Sequence, residues 1–136
     1  MTDHVDSAKR SLIMSAVRSK DTQPEMAIRK LVHSLGYRYK LHYAKLPGKP
    51  DLVFPSRGKV IFVHGCFWHR HARCRYATTP KTRTEYWQEK FRANTSRDRR
   101  TRRELKKLGW EVLAVWQCEI KKIEKLTERL CDFLKN

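Results

Sequence analysis

At 136 residues the chain fits one domain and is long enough to bury a core without disulfides. Lys and Arg number 31 against 14 Asp and Glu, a net charge of +17, which makes nucleic acid the first partner to consider. The longest aliphatic and aromatic run, VIFV, is far short of a membrane span, and the polar start MTDHVDSAKRS lacks the apolar stretch of a secretory signal, so a reducing, cytoplasmic setting is expected.

Residues 1–21 are polar with a short basic cluster and read as an arm, leaving 22–136 as one domain. TQPEMAIRKLVHSLG predicts a helix: Thr22 and Glu25 have capping-box spacing, Ile28, Leu31, Val32 and Leu35 form an apolar face, and Gly36 supplies the stop. YRYKLHY alternates large apolar and polar side chains at Tyr37, Tyr39, Leu41 and Tyr43, the period of a half-buried strand. After the turn-rich AKLPGKP come two short buried strands, DLVF and VIFV, joined by PSRGK and expected to pair antiparallel. RYATTPKTR reads as a loop. TRTEYWQEKFRANTSRDRRTRRELKKLG is helical, opened by Thr82 and Glu85, ended by Gly109, with a break expected near Asn94 to Ser96. WEVLAVW, apolar nearly throughout, reads as a central strand, and LTERLCDFL as an amphipathic helix with Leu126, Leu130, Phe133 and Leu134 on one side. One mixed α/β domain follows.

The chemistry gathers in HGCFWHRHARC, residues 64 to 74. In a reducing setting the four cysteines read as thiols or metal ligands. Cys66, His71 and Cys74 give C-x4-H-x2-C, and Cys118, just after the last strand, can complete a tetrahedral zinc site of the closed, structural type. The competing reading is buried thiols and surface histidines; Cys131 is a rival fourth ligand, though its place among leucines suits an inert core thiol better. Asp51 opens one strand of the hairpin and His64 ends the other, so a carboxylate, a backbone carbonyl and a polar side chain can meet and hold a hard cation such as Mg²⁺, unless Asp51 merely closes a turn. His69 is a candidate for proton transfer or a surface histidine. Glu25 is either the capping-box acid or a support for water at that cation. Phe67 and Trp68, expected to face outward, and Trp87 are candidates for stacking on bases, with core packing the alternative for Trp87 and Phe91. Arg97, Arg99, Arg100, Arg102 and Arg103 with Lys106 and Lys107 wrap most of a helix and read as phosphate contacts or a solvated face.

The ordered strings LPGKPDLVF, VIFVHGCFWHRH, TRTEYWQEKFRANTSRDRR and GWEVLAVWQCE resemble the very short patch repair endonucleases, bacterial enzymes that nick DNA at T:G mismatches, from about Thr22 to Glu119. One departure is Ala72-Arg73 between His71 and Cys74, one residue more than the commonest family spacing. The resemblance implies a restriction-endonuclease-like α/β fold, a mixed sheet flanked by helices, with a structural zinc. It implies Asp51 and the Val63 carbonyl as magnesium ligands, His64 near the water they hold, His69 as proton-transfer residue and Glu25 as support through water. It makes Cys66, His71, Cys74 and Cys118 the zinc ligands, and Phe67, Trp68 and Trp87 the residues entering the duplex. The implied activity is a Mg²⁺-dependent nick in double-stranded DNA 5′ to the T of a T:G mismatch, by a monomer acting at the bacterial nucleoid with mismatch-repair proteins as partners. The rival expectations are a zinc-stabilised basic module that binds DNA without cutting, and a nickase of the same fold indifferent to mismatch.

Overall fold

The computed structural model describes residues 22–41, 43 and 45–135; the polar arm expected over 1–21 lies outside the described residues. Helix α1 runs Gln23–Ser34, capped by Thr22, whose Oγ1 accepts the Glu25 N–H at 3.4 Å, and is followed by Gly36 at φ +95. Strands β1 (Leu52–Phe54) and β2 (Lys59–His64) form the expected antiparallel hairpin, with Leu52 opposite Ile61. A 3-10 turn at Pro55–Arg57 closes it, with Gly58 left-handed. Helix α2 (Thr84–Lys107) leads to β3 (Glu111–Trp116), which pairs parallel with β2 from Lys59↔Glu111 to His64↔Trp116. A second 3-10 turn, Gln117–Lys121, joins β3 to helix α3 (Ile123–Leu134).

The period-2 alternation of the strands splits the core into two layers. Leu52, Phe54, Ile61 and Val115 face α1 and α3, meeting Ile28, Val32, Leu126, Leu130 and Leu134. Val53 and Val60 point the other way, toward Leu105 of α2 and Trp110. The result is a mixed three-stranded sheet between helices.

Four expectations change. The described residues of this stretch, 37–41 and 43, make one isolated bridge, Lys40↔Val53, instead of a strand, because Tyr37, Tyr39 and Leu41 turn onto the first core layer while Tyr43 joins the second. Among the described residues the sheet order is β1-β2-β3, so β2 is central and β3 an edge; the apolar run in β3 reflects helices packed on its faces, not strands on both sides. Helix α2 is continuous through Asn94 to Ser96, because Thr95 turns its hydroxyl back to the Phe91 carbonyl at 3.1 Å and leaves the helical ladder intact. Its N-cap is Arg83, left-handed at φ +53 with no side-chain cap, so Thr82 does not cap it.

Candidate active site and metal centre

Asp51 is seated by the turn before β1. Gly48, at φ +75, lies against Thr101 of α2, where a Cβ would come within 2.3 Å of the threonine methyl, so only glycine fits this approach. Asp51 Oδ2 accepts the Val63 N–H at 2.6 Å, which brings the carboxylate against the β2 residue expected to supply a carbonyl ligand. Glu25 of α1 is buried and pairs with buried Arg29 through Oε2 and Nη2 at 3.1 Å. Burial pushes the Asp51 carboxyl up to about 7; the Val63 N–H opposes the rise, and the charge of Glu25 and a hydrogen bond with it add to it. Two carboxylates crowded in a partly dry pocket with one arginine are an oxygen donor set that a hard divalent cation relieves, so the residues fit magnesium. Glu25 therefore faces Asp51 as well as following its cap.

One residue beyond Val63, the His64 ring stacks on His69 with centroids 4.0 Å apart and planes 15° apart. Burial, reinforced by the neighbouring His69, lowers His64 to about 4, so it stays neutral at physiological pH. His69 Nδ1 meets Asp98 Oδ2 at 2.6 Å. Burial would raise Asp98, but the hydrogen bond and charge of His69 hold it below the usual carboxylate range. An ionised carboxylate only accepts, so Nδ1 carries the proton and Nε2 is left as the basic nitrogen. The ligand atoms of His64, His69 and Asp98 lie within 4.8 Å of one another. Nearly parallel stacked rings, however, cannot both hold one ion in their planes, so the trio suits proton handling better than metal binding.

The thiols and His71 form a separate cluster. One ligand atom from each of Cys66, His71, Cys74 and Cys118 falls within 4.8 Å of the others, and Cys118 Sγ lies 3.4 Å from His71 Nδ1. Two ligands on a tetrahedral zinc, at its usual bond lengths to S and N, stand about 3.5 Å apart, so the soft donor set fits zinc. Burial pushes the Cys66 thiol up to about 12, a cost that a bound cation removes. The turn bearing Cys118 is pinned from behind: Glu119 Oε1 accepts the Trp116 N–H at 2.9 Å and Arg129 Nη1 at 2.6 Å. In front, Tyr76 bonds both Arg75 and Lys121, tying the Cys74 loop to that turn. Trp116 separates the two centres, stacking on His71 at 4.2 Å and meeting the edge of His64 at 5.2 Å. Cys131 stands apart on α3.

The aromatic residues form one cluster against α2. Phe67 meets Trp68, Trp87 and Phe91 edge-on at 5.2, 5.7 and 5.1 Å, and Trp68 lies 5.7 Å from Trp87. Phe67 and Trp68 are half-buried, while Trp87 is buried beneath them. The segment is a run of turns, with His69 N–H bonded to Gly65 O and His71 N–H to Cys66 O, so neighbouring rings share a side as they could not on an extended strand. Arg97, Arg99 and Arg100 are exposed on α2 around Asp98.

Comparison with known proteins agrees with this geometry. The family model described as DNA mismatch endonuclease Vsr matches residues 2–75. The DNA mismatch endonuclease Vsr of Escherichia coli (strain K12) is 44% identical over 128 residues, covering 94% of this chain and 81% of that protein. The chain belongs to the Vsr DNA mismatch endonuclease family. It is a nuclease, a hydrolase of the DNA-repair class. The type II nicking enzyme V.XorIIP of Xanthomonas oryzae pv. oryzae is 51% identical over 134 residues, 98% of each chain. The catalytic domain of the homing endonuclease I-Bth0305I superposes with a TM-score of 0.59 at 18% identity, over 83% of this chain and 94% of that one, which shows the restriction-endonuclease-like fold. Within this family fold the sequence reading missed Asp98. Its signal was available, since Asp98 is the one acid between Glu89 and Glu104 in a stretch otherwise rich in arginine.

Proposed function

We propose that the chain nicks double-stranded DNA on the 5′ side of a thymine mispaired with guanine, using a magnesium ion held by Asp51, the Val63 carbonyl and, through water, Glu25. The observation that carries this reading is the continuous path from half-buried Asp51 beside buried Glu25 through Val63 and His64 to the His69–Asp98 pair. It sets an oxygen donor set beside an oriented base, the two parts that phosphodiester hydrolysis needs. A divalent cation at Asp51 would supply Lewis-acid stabilisation of the charge growing on the phosphate oxygens.

The chain's own residues do the rest. Asp98 keeps the His69 proton on Nδ1, so Nε2 takes a proton from the attacking water. The water oxygen bonds to phosphorus as the P–O3′ bond breaks, and the departing O3′ takes a proton from solvent, leaving a 3′-hydroxyl and a 5′-phosphate. Neutral His64 packs against the His69 ring and keeps it from turning away. Phe67 and Trp68, with Trp87 under them, enter the mismatched step, where lost pairing lowers the cost of unstacking. Arg97, Arg99 and Arg100 contact the backbone. Cys66, His71, Cys74 and Cys118 hold zinc, which ties the wedge segment to the end of β3. The named relatives are bacterial, and the chain acts there as a monomer on nucleoid DNA, alongside other mismatch-repair proteins.

A strand-resolved assay on two labelled duplexes, one with a T:G mismatch and its T:A twin, tests the substrate. A single nick 5′ to the mispaired T, absent from the twin, is the expected result; equal nicking of both would remove mismatch recognition, and binding without cutting would leave only a DNA-binding module.

A further inference from the structure

Arg70 stands between the proposed proton-transfer residue and a proposed zinc ligand, and its side chain turns away from both. Its guanidinium lies 4.0 Å from the centroid of Phe91 on α2 and 5.9 Å from that of Phe67. Nη1 donates to the Thr78 carbonyl at 2.9 Å and to the Phe67 carbonyl at 3.4 Å, and Nη2 donates to Thr79 Oγ1 at 2.9 Å. Its backbone is left-handed, φ +53. For a long, non-glycine side chain that conformation is strained and persists only where surrounding contacts impose it. Three segments therefore meet on one side chain: the loop bearing Phe67 and Trp68, the strap at Thr78 and Thr79, and the helix bearing Trp87 and Phe91. Only a planar fork does this, stacking flat on a ring while its edge donates in two directions; a lysine keeps the charge and loses the fork.

We propose that Arg70 is a positioning residue that fixes where Phe67 and Trp68 rest, so that the pair meets the mismatched step already oriented. The proposal rests on the reading of these rings as the wedge. Asn94 Nδ2, donating to the Trp68 carbonyl at 3.4 Å, is a second and weaker tie to α2. Pre-orientation acts on the step in which the duplex is distorted, so its loss falls on kcat and leaves KM nearly as it was.

The test uses the zinc-loaded protein and a T:G duplex with 2-aminopurine beside the mispaired thymine, whose fluorescence rises when the base unstacks. Native protein, Arg70→Gln, Arg70→Lys and Phe67→Ala/Trp68→Ala are compared for zinc content, fluorescence rise at saturating protein without added Mg²⁺, and nicking in Mg²⁺. Arg70→Gln should keep its zinc, lose most of the fluorescence rise and lower kcat about tenfold with KM within about twofold, the scale of one stacked cation and its hydrogen bonds. Arg70→Lys should fall between Arg70→Gln and native. A native fluorescence rise and kcat in Arg70→Gln, with the rise lost in Phe67→Ala/Trp68→Ala, would overturn the role of Arg70 and leave the wedge standing. A native rise in Phe67→Ala/Trp68→Ala would overturn the wedge and the proposal with it. Loss of zinc from both Arg70 variants would make the residue a structural part of the metal loop and overturn the positioning role.

Discussion

The two donor clusters are built from opposite materials. The cluster at the end of β3 offers three sulfurs and an imidazole, with Cys118 held from behind by Glu119 and Arg129. The pocket at the start of β1 offers Glu25 and Asp51, whose carboxyl burial and the neighbouring Glu25 push up to about 7. A closed set of four soft donors suits an ion held for good, and on the proposed reading the loop between Cys66 and Cys74 depends on it. Hard donors, too few to complete a coordination sphere, leave room for water and a phosphate, as a turnover site requires. Hardness of the donors thus separates architecture from chemistry within one small domain.

The predictions probe that division in descending order of effect. Removing the sulfur cluster's metal with a chelator selective for zinc, or replacing Cys118 with serine, should cost about 3 kcal/mol or more of stability and lower Tm by about 10 °C, read by calorimetry. An unchanged Tm would mean that the cluster does not support the fold. Replacing Asp98 with asparagine should leave Tm alone and lower kcat about 10²-fold, because an amide no longer holds the His69 proton on Nδ1. A fall in Tm with unaltered kcat would make the pair structural.

Acidity sharpens the contrast further. If Mg²⁺ is held by the ionised Asp51 as proposed, its apparent affinity should rise about tenfold from pH 6 to pH 8, because the carboxyl is pushed up to about 7. A flat titration across that range would place the ion elsewhere. The same shift has a consequence for stability without Mg²⁺. An acid whose folded pKa lies above its unfolded value stabilises the fold at low pH and loses that contribution as pH rises through about 7. Asp51→Asn, which stays neutral, should therefore melt a few degrees above the native protein at pH 8, roughly 1–2 kcal/mol, with the gap narrowing toward pH 5.

What could be read in advance follows local physics. The first and last helices were legible because caps, stops and apolar spacing are local, and the DLVF–VIFV hairpin because its turn residues announce it. Cys66, His71, Cys74 and Cys118 were legible as one set because ligand types repeat at short spacing, and Cys118 follows a strand that had to come near. The place of β3 at the edge was not legible, since apolar content reports burial from any direction and not hydrogen-bonded neighbours. Tyr37 to Tyr43 alternate as a strand would, yet their rings serve two core layers without pairing. Asp98 escaped because a helix brings residue 98 to residue 69 only in three dimensions, and its own neighbours in sequence are arginines. Trp87 had two readings, and the structure places it under Phe67 and Trp68, buried as the floor of the aromatic cluster.

The most direct measurement is strand-resolved nicking of a T:G duplex in Mg²⁺ by zinc-loaded native protein and by zinc-loaded Asp51→Ala, with zinc content and Tm measured on the same samples. The account predicts one nick 5′ to the mispaired T by the native protein, and a loss of at least about 10³-fold in Asp51→Ala while its zinc and fold remain. Native-rate nicking by Asp51→Ala would contradict it, because the oxygen pocket would then have no part in the chemistry.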